Sequence, residues 1–353
     1  MADAVKTLAN LVCPSPRSAK DTVLLGHGSG GTLSADLIRE IFLPSFLNPV
    51  LERLDDQAIV TINGSRLAFT TDSFVVKPLF FPGGDIGSLA VHGTVNDLAM
   101  GGAKPLFLSA AFILEEGLSI DVLRRVVESM RDAAAAAGVS IVTGDTKVVE
   151  KGSGDQLFIN TTGIGLVPEG VNLSANRARP GDSVLLSGTI GDHGIAILAQ
   201  RAGLEFDSRI ESDSAALHGL VSEMLAVSQE IRCMRDPTRG GMSSSLNEIA
   251  TTSKVGIELV EREIPVREDV RGACEMLGLD PLYVANEGKL IAIVPPEVAP
   301  DLLAAMRRHP LGKNARIIGK VCEAHPGLVT VRTDLGTHRI VDMLSGDQLP
   351  RIC

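Results

Sequence analysis

The 353-residue sequence has no Trp, a single Tyr and ten Phe. Stacking platforms for single-stranded nucleic acid need aromatic faces, and few exist here. Positive charge is also short. Lys and Arg total 33 against 43 Asp and Glu, a formal net charge of −10. Nucleic-acid surfaces carry a basic patch, and this balance argues against one. No stretch of about 18 apolar residues occurs, so no membrane span is expected. The first twenty residues, MADAVKTLANLVCPSPRSAK, mix charges into a short apolar segment. They lack the unbroken apolar core of a signal peptide. Cysteine is scarce: five residues, at 13, 233, 274, 322 and 353. An odd number without close pairs is no disulfide framework, and no CxxC is present to hold zinc. The expected location is the cytoplasm.

What is present reads as a globular chain, 44% hydrophobic and 22% charged. At roughly 150 residues per domain, two domains are expected. The opening segment, with Pro14 and Pro16, reads as a loose arm. It leads to LLGHGSGGT (24–32), four glycines in six positions, then a helical pattern from about Ser34 that should end before Pro44. Strands are expected at 58–62 and 67–73 around Asn63-Gly64, a strong hairpin turn. Gly84 to Met100 reads as a helix. Ser119 is set to cap a second helix, with Ile120, Leu123, Val126, Val127 and Met130 at helical spacing and Gly138 as its stop. Strands follow at 139–149 and 157–167, so the order implies an α/β or α+β unit rather than a bundle. PEGVNLSANRARPGD (168–182) is the best boundary or exposed connection. Beyond it, SVLLSG, VGIELV, LIAIV, ARIIGKV and LVTVRT read as strands, with helices near 193–202 and 214–230. The expected division is an arm with glycine loop and helix (1–45), an α+β domain (46–170), an α/β domain (171–342) and a flexible tail (343–353).

Several residues can carry chemistry. GHGSGGT can point backbone N–H groups at an anion, although it is neither a Walker A loop nor a GxGxxG that follows a strand in a βαβ unit, and a surface loop fits equally well. Asp72 and Asp145 are expected at strand ends, in TTDSF and TGDTK; Asp97 lies on a helix, in VNDLAM. Three carboxylates in one domain can hold Mg²⁺ against nucleotide phosphates, while each alone also suits a turn or cap. Lys147 could neutralise phosphate or simply face solvent. In DPTRGG, Asp236 and Arg239 precede a helix start suited to phosphate. Glu287 in ANEGK suits a base, a metal ligand or a plain turn. His92 and His193 fit buried or capping histidines better than ligands. Cys353, the last residue given, could act as a nucleophile on a mobile end or be accidental. The other cysteines fit small apolar core residues.

Together GHGSGGT, TTDSFVVKPLFFPGGDIG, VNDLAMGGAKP, TGDTKVVEKG, DPTRGG, NEGK and the terminal PRIC resemble the HypE family of hydrogenase maturation factors. The match runs in order through nearly the whole chain. The internal motifs alone point to a wider ATP-using superfamily, with aminoimidazole ribonucleotide synthetase, selenophosphate synthetase and thiamine-monophosphate kinase; PRIC is the specific part. The resemblance implies a two-domain α+β / α/β fold of the aminoimidazole ribonucleotide synthetase type, its N-terminal sheet paired across a homodimer. It implies ATP and Mg²⁺ as cofactors. Gly28, Gly30, Gly31, Asp72, Asn96, Asp97, Asp145, Asp236 and Arg239 would bind the nucleotide, and Asp72, Asp97, Asp145 and Asp236 the metal. Cys353, Lys147 and Glu287 would be catalytic. A HypF-type transferase would place a carbamoyl group on Cys353. ATP would drive its dehydration to a thiocyanate, and the cyanide would pass to iron on a HypC–HypD complex for [NiFe]-hydrogenase. Two alternatives are a selenophosphate synthetase-like enzyme, against which GHGSGG lacks the reactive Cys and Lys, and a nucleotide-gated assembly factor without thiol chemistry.

Overall fold

The computed structural model describes residues 22–204 and 209–346. Cys13 and Cys353, and most of the expected tail, lie outside the described residues. The chain folds as two α+β domains, each built on one large sheet.

The N-terminal sheet has five strands: β1 (Ala58–Ile62), β2 (Ser65–Phe74), β5 (Lys104–Glu115), β6 (Ser140–Val149) and β7 (Leu157–Leu166), in the order β1-β2-β7-β5-β6. A two-stranded ribbon, β3 (Phe80–Phe81) and β4 (Gly84–Asp85), lies between β2 and the first long helix. The β1–β2 hairpin turns at Asn63 and Gly64, both at positive φ. Two consecutive left-handed residues match the right-handed twist of the strands, which is why Asn-Gly is favoured there.

One face of this sheet is covered by α2 (Ile86–Met100) and α3 (Ile120–Ala136). Asp85 caps α2, accepting from the N–H groups of Gly87 and Ser88. Leu89, Ala90, Val91, Val95, Leu98 and Ala99 leave no side of α2 exposed. A helix apolar all round belongs inside, and α2 packs the N-terminal sheet on one side and the second domain on the other. Helix α3 is amphipathic. Val126, Met130, Ala133 and Ala134 face the core, Ser119 caps it, and Gly138 at positive φ follows its end.

The second domain holds β8 (Ser183–Leu186), β9 (Cys233–Arg235), β10 (Gly256–Val260), β11 (Ile291–Val294), β12 (Arg316–Cys322), β13 (Val329–Arg332) and β14 (His338–Ile340). Their order is β14-β13-β10-β12-β8-β11-β9, antiparallel except for β10 beside β13. The helices of this domain are α4 (Asp192–Ala202), α5 (His218–Val227), α6 (Gly241–Ser253), α7 (Glu268–Leu277) and α8 (Ala299–Arg308). Every residue of β11 is buried, as a strand covered on both faces requires.

Four expectations change. The first helix, α1, runs over 32–46 and does not stop before Pro44. Its 38–42 stretch has π spacing, and the missing Pro44 N–H falls where the hydrogen-bond register is already broken. Asp145 sits inside β6, not at its end, because the edge strand pairs with β5 along its length. The 168–182 connection is packed: Val171, Leu173 and Ala175 are buried, and Asp55 accepts from Ser174 and the Ala175 N–H. Cys322 is only partly buried, whereas Cys233 and Cys274 are core residues.

Candidate active site

A cavity of about 470 Å³ lies between the domains. Strand β2 carries Asp72 to it, α2 carries Asp97, the turn after β9 carries Asp236 and Arg239, and the turn before β11 carries Glu287. The α1 face at Ala35, Ile38 and Arg39 forms part of the wall. Five residues from distant motifs therefore share one space.

The carboxylates are crowded. Burial pushes the Asp97 carboxyl well above the ordinary range, and Asp236, Asp56 and Asp72 push the same way. Thr70 Oγ1 offsets part of this by donating to Asp97 Oδ2 at 2.8 Å. Asp236 is also raised, first by burial and then by Asp56. Asp72 is raised by burial, with Arg239 pulling it back. Removing carboxylates from water and setting them beside each other disfavours their charge, and a bound cation would relieve both effects.

Sequence reasoning missed the rest of this wall. Arg235 is bonded to Asp56, donates to the Leu54 carbonyl at 2.7 Å and stands 3.5 Å from Glu248. The signal was there: a charged residue ending the apolar run of β9, and the Asp55-Asp56 doublet before β1. Neither said that the two would meet.

Gly28, Gly30 and Gly31 do not line the cavity; they dock beside it. Arg239 Nη1 donates to Gly28 O at 3.3 Å. A Cβ at Gly30, whose φ is +74°, would meet the Arg239 backbone, and one at Gly31 would run into the Leu344 carbonyl. Thr32 N–H donates to Leu344 O at 2.8 Å, and Ser29 Oγ to Gly346 O at 3.1 Å. The last described residues thus lie against the glycine-rich loop.

Asn96 does not face the cavity. It is fully buried, and its amide is spent on backbone: Nδ2 donates to Ala215 O at 3.1 Å and Glu287 O at 3.3 Å, and Oδ1 accepts from Leu217 N–H at 2.8 Å. It straps α2 to the second domain. His92 pairs with Ser214 Oγ at 2.9 Å and His193 with Ser212 Oγ at 2.7 Å; neither lines the cavity.

Asp145 and Lys147 stand apart. They pair with each other at 2.7 Å, both largely exposed. In register Asp145 lies opposite Ala111, and Ala111 opposite Asn160, which faces Ser73. Residues opposite each other share a face, so Asp145 is on the face of Ser73, and its neighbour Asp72 points the other way. Neither Asp145 nor Lys147 lines the cavity.

Residues 54–167 match the family described as AIR synthase related protein, N-terminal domain, and residues 179–331 its C-terminal domain. A carbamoyl dehydratase HypE of Azotobacter vinelandii is 60% identical over 332 residues, 94% of this chain and 97% of the relative. A crystal structure of a HypE–HypF complex superposes with a TM-score of 0.84 at 52% identity, covering 87% of this chain and 99% of that one. A structure of hydrogenase maturation protein HypE in complex with ATP gives 0.80 at 53% identity, covering 94% and 100%.

Proposed function

The chain belongs to the HypE family of AIR synthase related proteins, and from that premise we propose that it works on a carbamoyl group carried by its own Cys353. It is an ATP-dependent carbamoyl dehydratase of hydrogenase maturation.

The carbamoyl oxygen is a poor leaving group. Transfer of the ATP γ-phosphoryl group to that oxygen makes it phosphate, a good one. Its departure, with loss of both nitrogen protons, turns the S-carbamoyl group into S–C≡N and releases ADP and phosphate. The site must align the oxygen with the phosphorus, offset charge and accept protons. Glu287, which lines the cavity, is the proposed proton acceptor. Arg239, on the cavity wall, would meet the phosphates, and the glycine-rich loop beside it would cover them, keeping water from taking the phosphoryl group.

Asp72, Asp97 and Asp236 would hold Mg²⁺. Among the described residues no three acidic, His or Cys side chains enclose an ion by themselves. That fits Mg²⁺, which commonly takes one or two carboxylates and completes its shell with phosphate oxygens and water. When bound it would offset the phosphate charge.

Asp145 and Lys147 are read as reaching a site only across a homodimer. The face they share carries Phe69, Ile164 and Phe107 in one directly paired row, each more than a third exposed. An apolar row of this kind marks a protein interface. Lys147 from a second copy is the proposed phosphate or oxygen partner of Glu287, and the two roles are interchangeable. HypF is the proposed source of the carbamoyl group, and a HypC–HypD complex the acceptor of the cyanide. Among the described residues no helix is long and apolar enough to cross a membrane.

The observation that carries this reading is the convergence of Asp72, Asp97, Asp236 and Glu287 from both domains on one cavity. Intact mass spectrometry tests it. With carbamoyl phosphate and the transferase, the chain should gain one carbamoyl group on Cys353, and only with ATP then lose the mass of one water. Water loss on another cysteine overturns the assignment to Cys353; maturation supported by Cys353→Ala overturns it and favours a nucleotide-gated assembly factor.

A further inference from the structure

Glu287 sits on a turn with no regular hydrogen-bond ladder of its own, so its direction must be fixed from outside. The fixing residue is Asp213, in the loop between α4 and α5. Asp213 Oδ1 accepts from the Glu287 N–H at 3.1 Å, and Oδ2 accepts from the Gly288 N–H at 3.2 Å and from Lys289 Nζ at 2.9 Å. The side chains of Asp213 and Lys289 are only 5% and 12% exposed. Burial alone would raise the Asp213 carboxyl, yet Lys289 and His193 hold it below the ordinary carboxylate range. It therefore accepts all three bonds as an anion, and charge-assisted bonds of this kind are the strong ones.

The loop of Asp213 is itself tied to the other domain. Ser212 N–H donates to Pro82 O at 2.8 Å, Ser214 pairs with His92, and Asn96 holds the Ala215 carbonyl. The approach is close: a Cβ at Gly288 would run into the Asp213 carbonyl oxygen. The loop thus references the Glu287 turn to the domain that carries Asp72 and Asp97.

We propose that Asp213, charged against Lys289, is the positioning residue that aims the Glu287 carboxylate at the reacting carbamoyl group. This rests on the reading of Glu287 as the base. Asp213→Asn keeps the shape but puts an NH₂ where one of three donors must be received. Displacing a catalytic group by about 1 Å can cost on the order of 100-fold in rate.

The test uses full-length chain carbamoylated by the transferase and follows a single ATP-driven water loss by mass, beside ATP affinity and melting temperature. D213N should dehydrate about 100-fold more slowly with ATP affinity within about twofold of wild type. D213N/K289M removes both buried charges. It should recover melting temperature but not rate, because the Glu287 and Gly288 N–H groups still lack their carboxylate. Should D213N fail to fold, the double variant carries the comparison. Adding D213N to E287Q should slow it no further. Recovery of rate together with stability in D213N/K289M means the pair is only structural and overturns the proposal. D213N at wild-type rate beside an inactive E287Q overturns the positioning alone. E287Q at wild-type rate overturns the base reading and the proposal with it.

Discussion

The two sheets of this protein treat their faces differently. In the second domain β11 is buried along its whole length, and Val184, Leu185 and Leu186 of the neighbouring β8 are buried with it. In the first domain one face lies under α2 and α3, while the other shows Phe69, Ile113 and Ile164 to solvent. The acidic residues divide between the cavity and the exposed face. Asp72, Asp97 and Asp236 meet in a cavity finished by packing within one chain; Asp145 and Lys147 stand on the bare face. Both domains supply the cavity, and the exposed face of the first sheet carries the residues proposed to meet a second copy.

The largest effect should come from the cavity. Asp97→Asn removes charge from the most crowded carboxylate, so ATP with Mg²⁺ should no longer raise the melting temperature and water loss should fall by at least about 100-fold. The protein without nucleotide should be no less stable, since a repelled buried charge is gone. An unchanged ATP-dependent melting shift would remove Asp97 from the site.

Mixing sharpens the comparison further. Asp97→Asn and Lys147→Ala subunits should each be inactive alone. If the site is shared across a two-fold interface, random mixed dimers restore about a quarter of the wild-type sites. No recovery after verified subunit exchange would place both residues in one chain's site.

Breaking the bare face is the next test. Ile113→Glu changes an exposed residue, so the subunit should keep its fold, while the dimer should give way to monomer in sedimentation at micromolar concentration. A monomeric wild type would end the dimer reading.

The smallest effect is one of pH. Burial pushes the His92 imidazole down to about 4, with His218 adding to it. The folded state keeps this ring neutral where the unfolded chain, with an ordinary value near 6.5, takes up a proton. Its contribution to stability is complete above about pH 6.5 and is lost as pH falls toward 4. His92→Asn should therefore flatten the fall in melting temperature across that window. An unaltered slope would mean that other groups set the acid limit.

Much of the fold was legible. The Asn63-Gly64 turn, the Ser119 cap, the Gly138 stop and strands β8, β10, β11, β12 and β13 follow from local chemistry, and each stands within a few residues of where the periodicity puts it; the short β9 and β14 were not expected. Asp72 and Asp97 could be picked out as carboxylates at a strand end and on a helix, and Asp236, Arg239 and Glu287 as charged residues beside glycine turns. The resemblance implied nucleotide binding for Asn96 as well as for its neighbour Asp97. A helix turns about 100° per residue, which is enough to direct one toward the cavity and the other into the domain joint.

The sequence by itself determined where most of the helices and strands lie and which residue types could bind phosphate, because those depend on neighbours a few positions away. Only the tertiary structure decided that Arg235 meets Asp56, that Asp213 holds the Glu287 turn, and that Asp145 faces away from Asp72. The Arg235 and Asp213 contacts join residues more than seventy positions apart, and the facing of Asp145 follows from pairing register. A shift of one residue in register turns every side chain of a strand to the other face, and no local pattern fixes which long-range partner a buried charge will find.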